Sequence, residues 1–251
     1  MTFRSYRSYS RFAEEVTRSR RFIRSAEQDD FLAALAASAN SRVQVMAAAT
    51  LFWRAQKGCD YRAYYQNDEY MDDLPVPFDV QRMTPRAGRA SQGRANPQGI
   101  PVLYVTDDPD TAVAEVRPWI GAEISLGVFK STQELRILNC AADDRRHFLF
   151  LEEPAPEIRE RSVWADVNGA FARPVDPADD TAAYAPTQII TEHFKSRGFD
   201  GLCFRSSVGE GRNFALFHPT IAELVHCEVV RVKSLAIEVE PEGGPFSVWR
   251  K

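Results

Sequence analysis

The sequence is short of the side chains that usually announce a metal or redox centre. It holds four cysteines and four histidines. Cys59, Cys140, Cys203 and Cys227 include no C-x-x-C and no two at ligand spacing, which removes zinc-ribbon and thioredoxin-like readings. Reduced, packed thiols are expected, with Cys203 buried in an apolar run. His147, His193, His218 and His226 form no ligand pattern and no H-E-x-x-H occurs, so no metal site is expected. No stretch is long and apolar enough to cross a bilayer, and Met1 to Arg7 lacks the apolar segment of a signal peptide. The expectation is a cytoplasmic protein with no membrane partner. The net charge of -4 gives no general basic surface for direct nucleic-acid binding. The phosphate loop G-x-x-x-x-G-K-[ST] and the nucleophile elbow G-x-S-x-G are both missing. So are repeats, heptads and low-complexity tracts.

What is present suits a globular domain. With 251 residues, 44% of them hydrophobic, the chain can bury a full core without disulfide or metal staples. Residues 1–50 read as helical. Phe12, Val16, Phe22 and Ile23 punctuate a charged stretch, and Ser25-Ala26-Glu27-Gln28 fits a capping box ahead of Phe31, Leu32 and Leu35. Leu51-Phe52-Trp53-Arg54 reads as a strand ending on a cation. Residues 55–99, polar and rich in Pro, Gly, Asp and Tyr, read as a long irregular region. Pro101 to Val105 is a buried strand. Asp108 then caps a helix whose first position is Pro109, and Pro118 ends it.

Further strands are expected at Ile124–Phe129, Leu135–Cys140, Gly201–Arg205, Asn213–Phe217 and Val229–Val239. Helices are expected at Glu157–Phe171, with Trp164 on the apolar side, and at Pro186–Arg197, stopped by Gly198. Strands and helices intermix without strict alternation, which favours a mixed α+β sheet over a parallel doubly wound one. Gly209-Glu210-Gly211-Arg212-Asn213-Phe214 opens like a dinucleotide fingerprint. It lacks the third glycine and runs into a strand, so a glycine-rich turn between strands is the simpler reading.

Four segments stand out together: Trp53-Arg54; Gly93-Arg94-Ala95-Asn96-Pro97-Gln98-Gly99-Ile100-Pro101-Val102-Leu103-Tyr104; Thr111-Ala112-Val113-Ala114-Glu115-Val116-Arg117-Pro118; and Arg205-Ser206-Ser207-Val208 followed by Asn213 and Leu216-Phe217. Singly, each has a bland explanation. Arg54 fits a surface strand end, Glu115 an exposed helix carboxylate, Ser206 and Ser207 turn residues, and Tyr104 a core aromatic with a satisfied hydroxyl.

The combination resembles the RES-domain family, named for its arginine, glutamate and serine, over roughly residues 51–220. The most specific block is Gly93 to Pro118. It is similar to the family's G-R-x-N-P-x-G-x-P-x-L-Y stretch followed by T-A-x-x-E. Tyr184-Ala185-Pro186-Thr187-Gln188 looks like the longer members. The chain departs from the compact toxin members in its longer Arg54–Arg94 interval, in Ala95 replacing a common aromatic, and in its N-terminal helices. The resemblance implies an ADP-ribosyltransferase-like mixed sheet with flanking helices, with an N-terminal helical extension at 1–50 and the RES domain at 51–240. It also implies cleavage of NAD⁺ between nicotinamide and ribose.

That cleavage builds positive charge on the ribose, which a carboxylate stabilises as in glycosidases; the role falls to Glu115. The pyrophosphate calls for planar, permanently charged donors, supplied by Arg54 and Arg94. By resemblance, Tyr104 offers an aromatic surface to nicotinamide. Ser206, with adjacent Ser207 as its competitor, bonds a ribose or the incoming nucleophile. Asn213 binds substrate or fixes the loop bearing Ser206. Glu115, Ser206 and Arg54 thus form the expected catalytic set, with Arg94, Tyr104 and Asn213 binding substrate and no metal. Arg117, two positions after Glu115, points elsewhere and is expected in a structural ion pair.

NAD⁺ is then substrate rather than prosthetic group, and inorganic phosphate is the first-choice acceptor, giving a phosphorylase. A protein ADP-ribosyltransferase or an NAD⁺ glycohydrolase uses the same site with another acceptor. A non-catalytic interaction module keeps only the fold. By resemblance to the compact members, a toxin role brings a helix-turn-helix antitoxin. The N-terminal helices suit such docking, self-association into a homo-oligomer, or a plain scaffold.

Overall fold

The computed structural model describes residues 2–142, 150–173, 181–236 and 239; His147 lies outside them. Helix α1 (Ser8–Arg18) buries Phe12 and Val16, four apart on one face. Helix α2 (Ala26–Ser38) starts on the expected capping box: Ser25 Oγ accepts from Gln28 N, and Gln28 Oε1 accepts from Ser25 N. The helical reading of the first fifty residues ends at Arg42, where a short 3-10 turn gives way to strand β1 (Val43–Met46). Two β-branched residues at alternate positions favour that strand.

The main sheet has eight strands in the order β1-β7-β8-β9-β5-β2-β6-β10. Its members are β1, β2 (Leu51–Lys57), β5 (Leu103–Thr106), β6 (Glu123–Ser131), β7 (Leu135–Asn139), β8 (Gly201–Arg205), β9 (Arg212–Leu216) and β10 (Ala222–Arg231). Among the described strands of this sheet, β7–β8 alone is parallel and the other pairings are antiparallel. This is the mixed α+β sheet anticipated from the intermixed pattern. The last strand begins and ends earlier than the expected 229–239, because it starts directly after the 3-10 turn at Pro219–Ile221.

Residues 55–99 depart furthest from expectation. Instead of an irregular stretch they hold a hairpin, β3 (Asp60–Gln66) with β4 (Glu69–Val76), and a short helix α3 (Val80–Met83). Asn67 and Asp68 both adopt positive φ, 54° and 65°. That is the backbone of a primed two-residue turn, and Asn and Asp tolerate it. Asn-Asp between tyrosine-rich runs was the signal. It is weak because the hairpin is exposed along almost its whole length and shows no apolar alternation.

Alternation sorts the sheet's two faces. Leu202, Phe204 and Ala215 enter a core with α1, α2, α5 (Pro156–Ala172) and α6 (Ala185–Lys195). Cys203, Phe214, Leu216, Leu103 and Val105 face the opposite side, with Phe52, Phe78 and Met83. The N-terminal helices share the first core. Phe12 stacks on Phe31 at 4.5 Å between ring centroids, and Trp164 Nε1 donates to Ser38 Oγ at 3.0 Å. Helix α4 (Pro109–Glu115) forms a third, smaller core, in which Ala112 packs with Ala55, Ile124 and Leu126. Cys140 and Cys203 are buried, Cys59 and Cys227 partly so, and all four are free thiols. Among the described residues no helix is long and apolar enough to cross a membrane.

Candidate active site

Strands β2 and β5 meet at one position only, Trp53 opposite Thr106, whereas β2 pairs with β6 along its full length. Beyond that contact the two strands diverge, and the fork opens a cleft of about 340 Å³. Such a volume falls within the range of ligand sites. Trp53, Arg54, Arg94, Tyr104, Glu115 and Asn213 all line it.

Arg54 sits in the fork. Its Nη1 donates to Tyr104 O at 2.9 Å, on the edge of β5 where pairing to β2 has stopped. Its Nε is buried without a hydrogen-bond partner. Burial pulls the guanidinium down from its ordinary value to about 10, so it stays charged at neutral pH. It has no carboxylate partner among the described residues. A buried, uncompensated cation is costly unless an anion meets it.

The carboxylate end is assembled by topology. Helix α4 directly follows β5. Asp108 caps it, with Oδ2 accepting from Thr111 N at 2.7 Å, and Pro109 occupies the first turn. Glu115, the last helical residue, thereby overhangs β9, where Asn213 is paired across from Thr106. Asn213 Nδ2 and Ser206 Oγ both donate to Glu115 Oε1, the serine at 2.8 Å. Oε2 has no partner within the described chain. Ser206 is 1% exposed and also accepts from Val208 N and Gly209 N, each at 3.1 Å. The neighbouring Ser207 is exposed, so Ser206 is the serine that meets the carboxylate. Ser206 does not itself line the cleft; it reaches it through Glu115.

The glycine-rich turn has a mechanical purpose. A Cβ at Gly209 would stand 2.5 Å from Thr111 Oγ1 and 3.0 Å from Thr111 Cα, too close for any side chain. Gly211 N donates to Thr111 Oγ1 at 3.0 Å, and Arg212 Nε pairs with Asp107 Oδ2 at 2.9 Å. The turn before β9 is therefore clamped to the start of the helix that carries Glu115.

Tyr104 stands on the wall of the cleft with the satisfied hydroxyl that a core aromatic would have. Its ring lines the cleft, but its hydroxyl is spent: it accepts from Ala95 N and donates to Asn96 Oδ1, both at 2.8 Å. Burial pushes that hydroxyl far above its ordinary value, so it does not serve as an acid. Gly93 is required here, since a Cβ would lie 2.6 Å from the Tyr104 oxygen. Gln188 Nε2 donates to Gly93 O and Asn96 O at 2.9 Å. Asn96, 2% exposed, donates to the carbonyls of Ser91, Pro97 and Ile100. This knot fixes Arg94, whose Nη1 donates to Phe171 O at 2.9 Å while the residue lines the cleft.

Trp53 and Tyr184 complete the aromatic wall. Sequence reasoning quoted both within motifs but assigned neither to the site. Tyr184 lies 80 positions after Tyr104, at the end of the 3-10 turn before α6, and reaches the cleft only through the tertiary fold. Arg117 makes no ion pair among the described residues; it takes φ 46° just past the end of α4, which turns the chain away from the helix axis. Among the described residues, no three His, Cys, Asp or Glu side chains cluster as metal ligands.

The RES domain family model matches residues 51–238. No curated protein matches the chain. Among solved structures, a chain from the M. tuberculosis MbcT–MbcA toxin–antitoxin complex aligns at 15% identity, covering 77% of this chain and 89% of that chain, with a TM-score of 0.37.

Proposed function

The chain belongs to the RES-domain family, and from that premise we propose that it cleaves the nicotinamide–ribose bond of NAD⁺, by phosphorolysis to ADP-ribose-1″-phosphate and nicotinamide. The observation that carries this reading is the pairing across one cleft. Glu115, immobilised through one oxygen and unbonded at the other, faces the same space as Arg54 and Arg94.

The chemistry follows from that pairing. As the C–N bond breaks, its electron pair leaves with nicotinamide and neutralises the pyridinium. Positive charge then gathers on the ribose carbon and ring oxygen, where a fixed carboxylate stabilises it. A phosphate oxygen supplies the new bond to that carbon. A preorganised carboxylate suits this task because it need not reorient when the charge appears. Arg54 and Arg94 match the pyrophosphate, Arg54 most strongly, since its buried charge lacks a counter-ion. Trp53, Tyr104 and Tyr184 offer ring surface to the nicotinamide. Asn213 acts on the carboxylate rather than on the Ser206 loop. In this reading NAD⁺ and phosphate are substrates and no prosthetic group takes part. In a toxin setting the reaction depletes NAD⁺, and an antitoxin-like protein restrains it.

The test is incubation of the folded, partner-free chain with NAD⁺, with and without inorganic phosphate, and identification of products by mass spectrometry. Phosphate-dependent appearance of ADP-ribose-1″-phosphate is the expected result. ADP-ribose formed regardless of phosphate would make the enzyme a glycohydrolase, and label transferred to protein would make it a transferase. Intact NAD⁺ after long incubation overturns the proposal.

A further inference from the structure

A second depression adjoins the cleft and shares Arg54 with it. It has a volume of about 480 Å³ and is built from the region between β3 and the Gly93 knot, with Arg82, Arg86 and Arg89 on its walls. Four guanidiniums thus meet two carboxylates, Asp60 and Asp79. Both carboxylates are engaged by Arg82. Asp60 Oδ1 lies 3.7 Å from its Nη1, and Asp79 Oδ1 accepts from its backbone N at 2.8 Å as the cap of α3. Arg82 is further held over the Phe78 ring. Arg86 bonds only the neutral Gln81 Oε1, and Arg89 has no side-chain partner among the described residues. Arg54, Arg86 and Arg89 are therefore left without a carboxylate partner, and Thr84 and Ser91 line the same depression.

The inference rests on the dinucleotide reading above. If Glu115 marks the nicotinamide ribose and Arg54 the pyrophosphate, the adenosine half lies in this depression. An unmodified adenosine ribose carries no charge for Arg86 and Arg89 to meet. A phosphate monoester on it does, with close to two negative charges at neutral pH and three acceptor oxygens. We propose that Arg86 and Arg89 form a subsite for a phosphate on the adenosine ribose, so that the enzyme favours NADP⁺ over NAD⁺.

The experiment has a binding arm and a turnover arm, both on the full chain. Calorimetry compares adenosine 2′,5′-bisphosphate with AMP. The bisphosphate is expected to bind about tenfold more tightly, the scale of a charge-assisted contact. The exposed double substitution R86A/R89A is expected to remove that difference. In the turnover arm, the ratio of kcat/KM for NADP⁺ to that for NAD⁺ is expected to fall about tenfold in the same variant. Equal affinity for bisphosphate and AMP in the unsubstituted chain overturns the subsite. So does a double variant that raises the KM of inorganic phosphate and leaves the dinucleotide ratio unchanged, since the groove would then hold free phosphate. If neither dinucleotide is consumed but the bisphosphate preference stands, the reaction assigned above fails and the subsite survives.

Discussion

At the carboxylate end of the cleft, Glu115 is held by two donors, and the loop behind it is clamped to the helix that carries it through Thr111, Gly211 and the Asp107–Arg212 pair. At the arginine end, by contrast, Arg54 keeps a bare Nε, and Arg86 and Arg89 stand exposed with few partners. Under the proposed function, the contrast follows from what each end meets. Charge that exists only in a transition state is best met by groups already fixed in place. A phosphate is charged before it arrives, so under that proposal Arg86 and Arg89 wait as solvated cations, whereas Arg54 is held in the fork by Tyr104 O.

Substitutions at the two ends should therefore fail in different ways. The largest effect is expected from Glu115→Gln. It keeps the shape and the acceptor for Ser206 and Asn213 but removes the charge, and kcat should fall by roughly 10²- to 10³-fold with little change in Tm; a loss confined to KM would contradict the assignment. Gly209→Val comes next. Its side chain collides with the Thr111 backbone, so we expect a loss of about 1–3 kcal/mol in denaturant unfolding and a lower kcat, because Ser206 moves with the loop. Arg54→Met should act the other way round, raising KM for the dinucleotide about tenfold or more at nearly constant kcat. In the unsubstituted protein the same KM should climb as pH rises through about 10, where the buried guanidinium begins to lose its proton.

Tyr104→Phe frees Ala95 N and Asn96 Oδ1. The cost should be about 1–3 kcal/mol and a several-fold rise in KM through Arg94, readable in one set of Michaelis curves. The smallest effect lies outside the cleft, at His193 on α6. Burial, then Arg197, lowers its imidazole to about 4. An unfolded chain takes up that proton near pH 6.5 and the folded chain does not until about pH 4. Stability therefore declines as pH falls across that window. Solvent screening at this half-buried site keeps the loss to about 1 kcal/mol. The Tm of His193→Gln should be less pH-dependent than that of the parent between pH 7 and 4.5, whereas cleft activity at pH 7 should be untouched.

Much of this was legible in the residues. The capping box at Ser25, the Asp108-Pro109 helix start and the strands expected at 101–105, 201–205 and 213–217 follow from local rules, because each is decided by neighbours within a few positions. The candidate site residues were named as a set through the family resemblance rather than by local rules, and the fold brings Arg54, Arg94, Tyr104, Glu115 and Asn213 to one cleft. Other features were not. The 60–76 hairpin shows no apolar alternation because almost none of it is buried. Strand β1 was hidden inside a helical stretch because it is stabilised by its partner β7, far along the chain, with Val43 opposite Leu138 and Met46 opposite Leu135. Asn213's hold on Glu115, and the hydroxyl of Tyr104 being committed to Asn96, depend on which atoms face one another after folding.

The amino-acid order by itself determined the local elements and the mixed class of the sheet, since these depend on short-range periodicity and capping; the groups expected at the cleft came from the family resemblance. The tertiary structure alone decided that β2 and β5 part after a single pairing, that Ser206 rather than Ser207 meets the carboxylate, and that Arg86 and Arg89 share a depression with Arg54. Those outcomes depend on contacts between segments distant in the chain, whose geometry is fixed only when the sheet closes around its core.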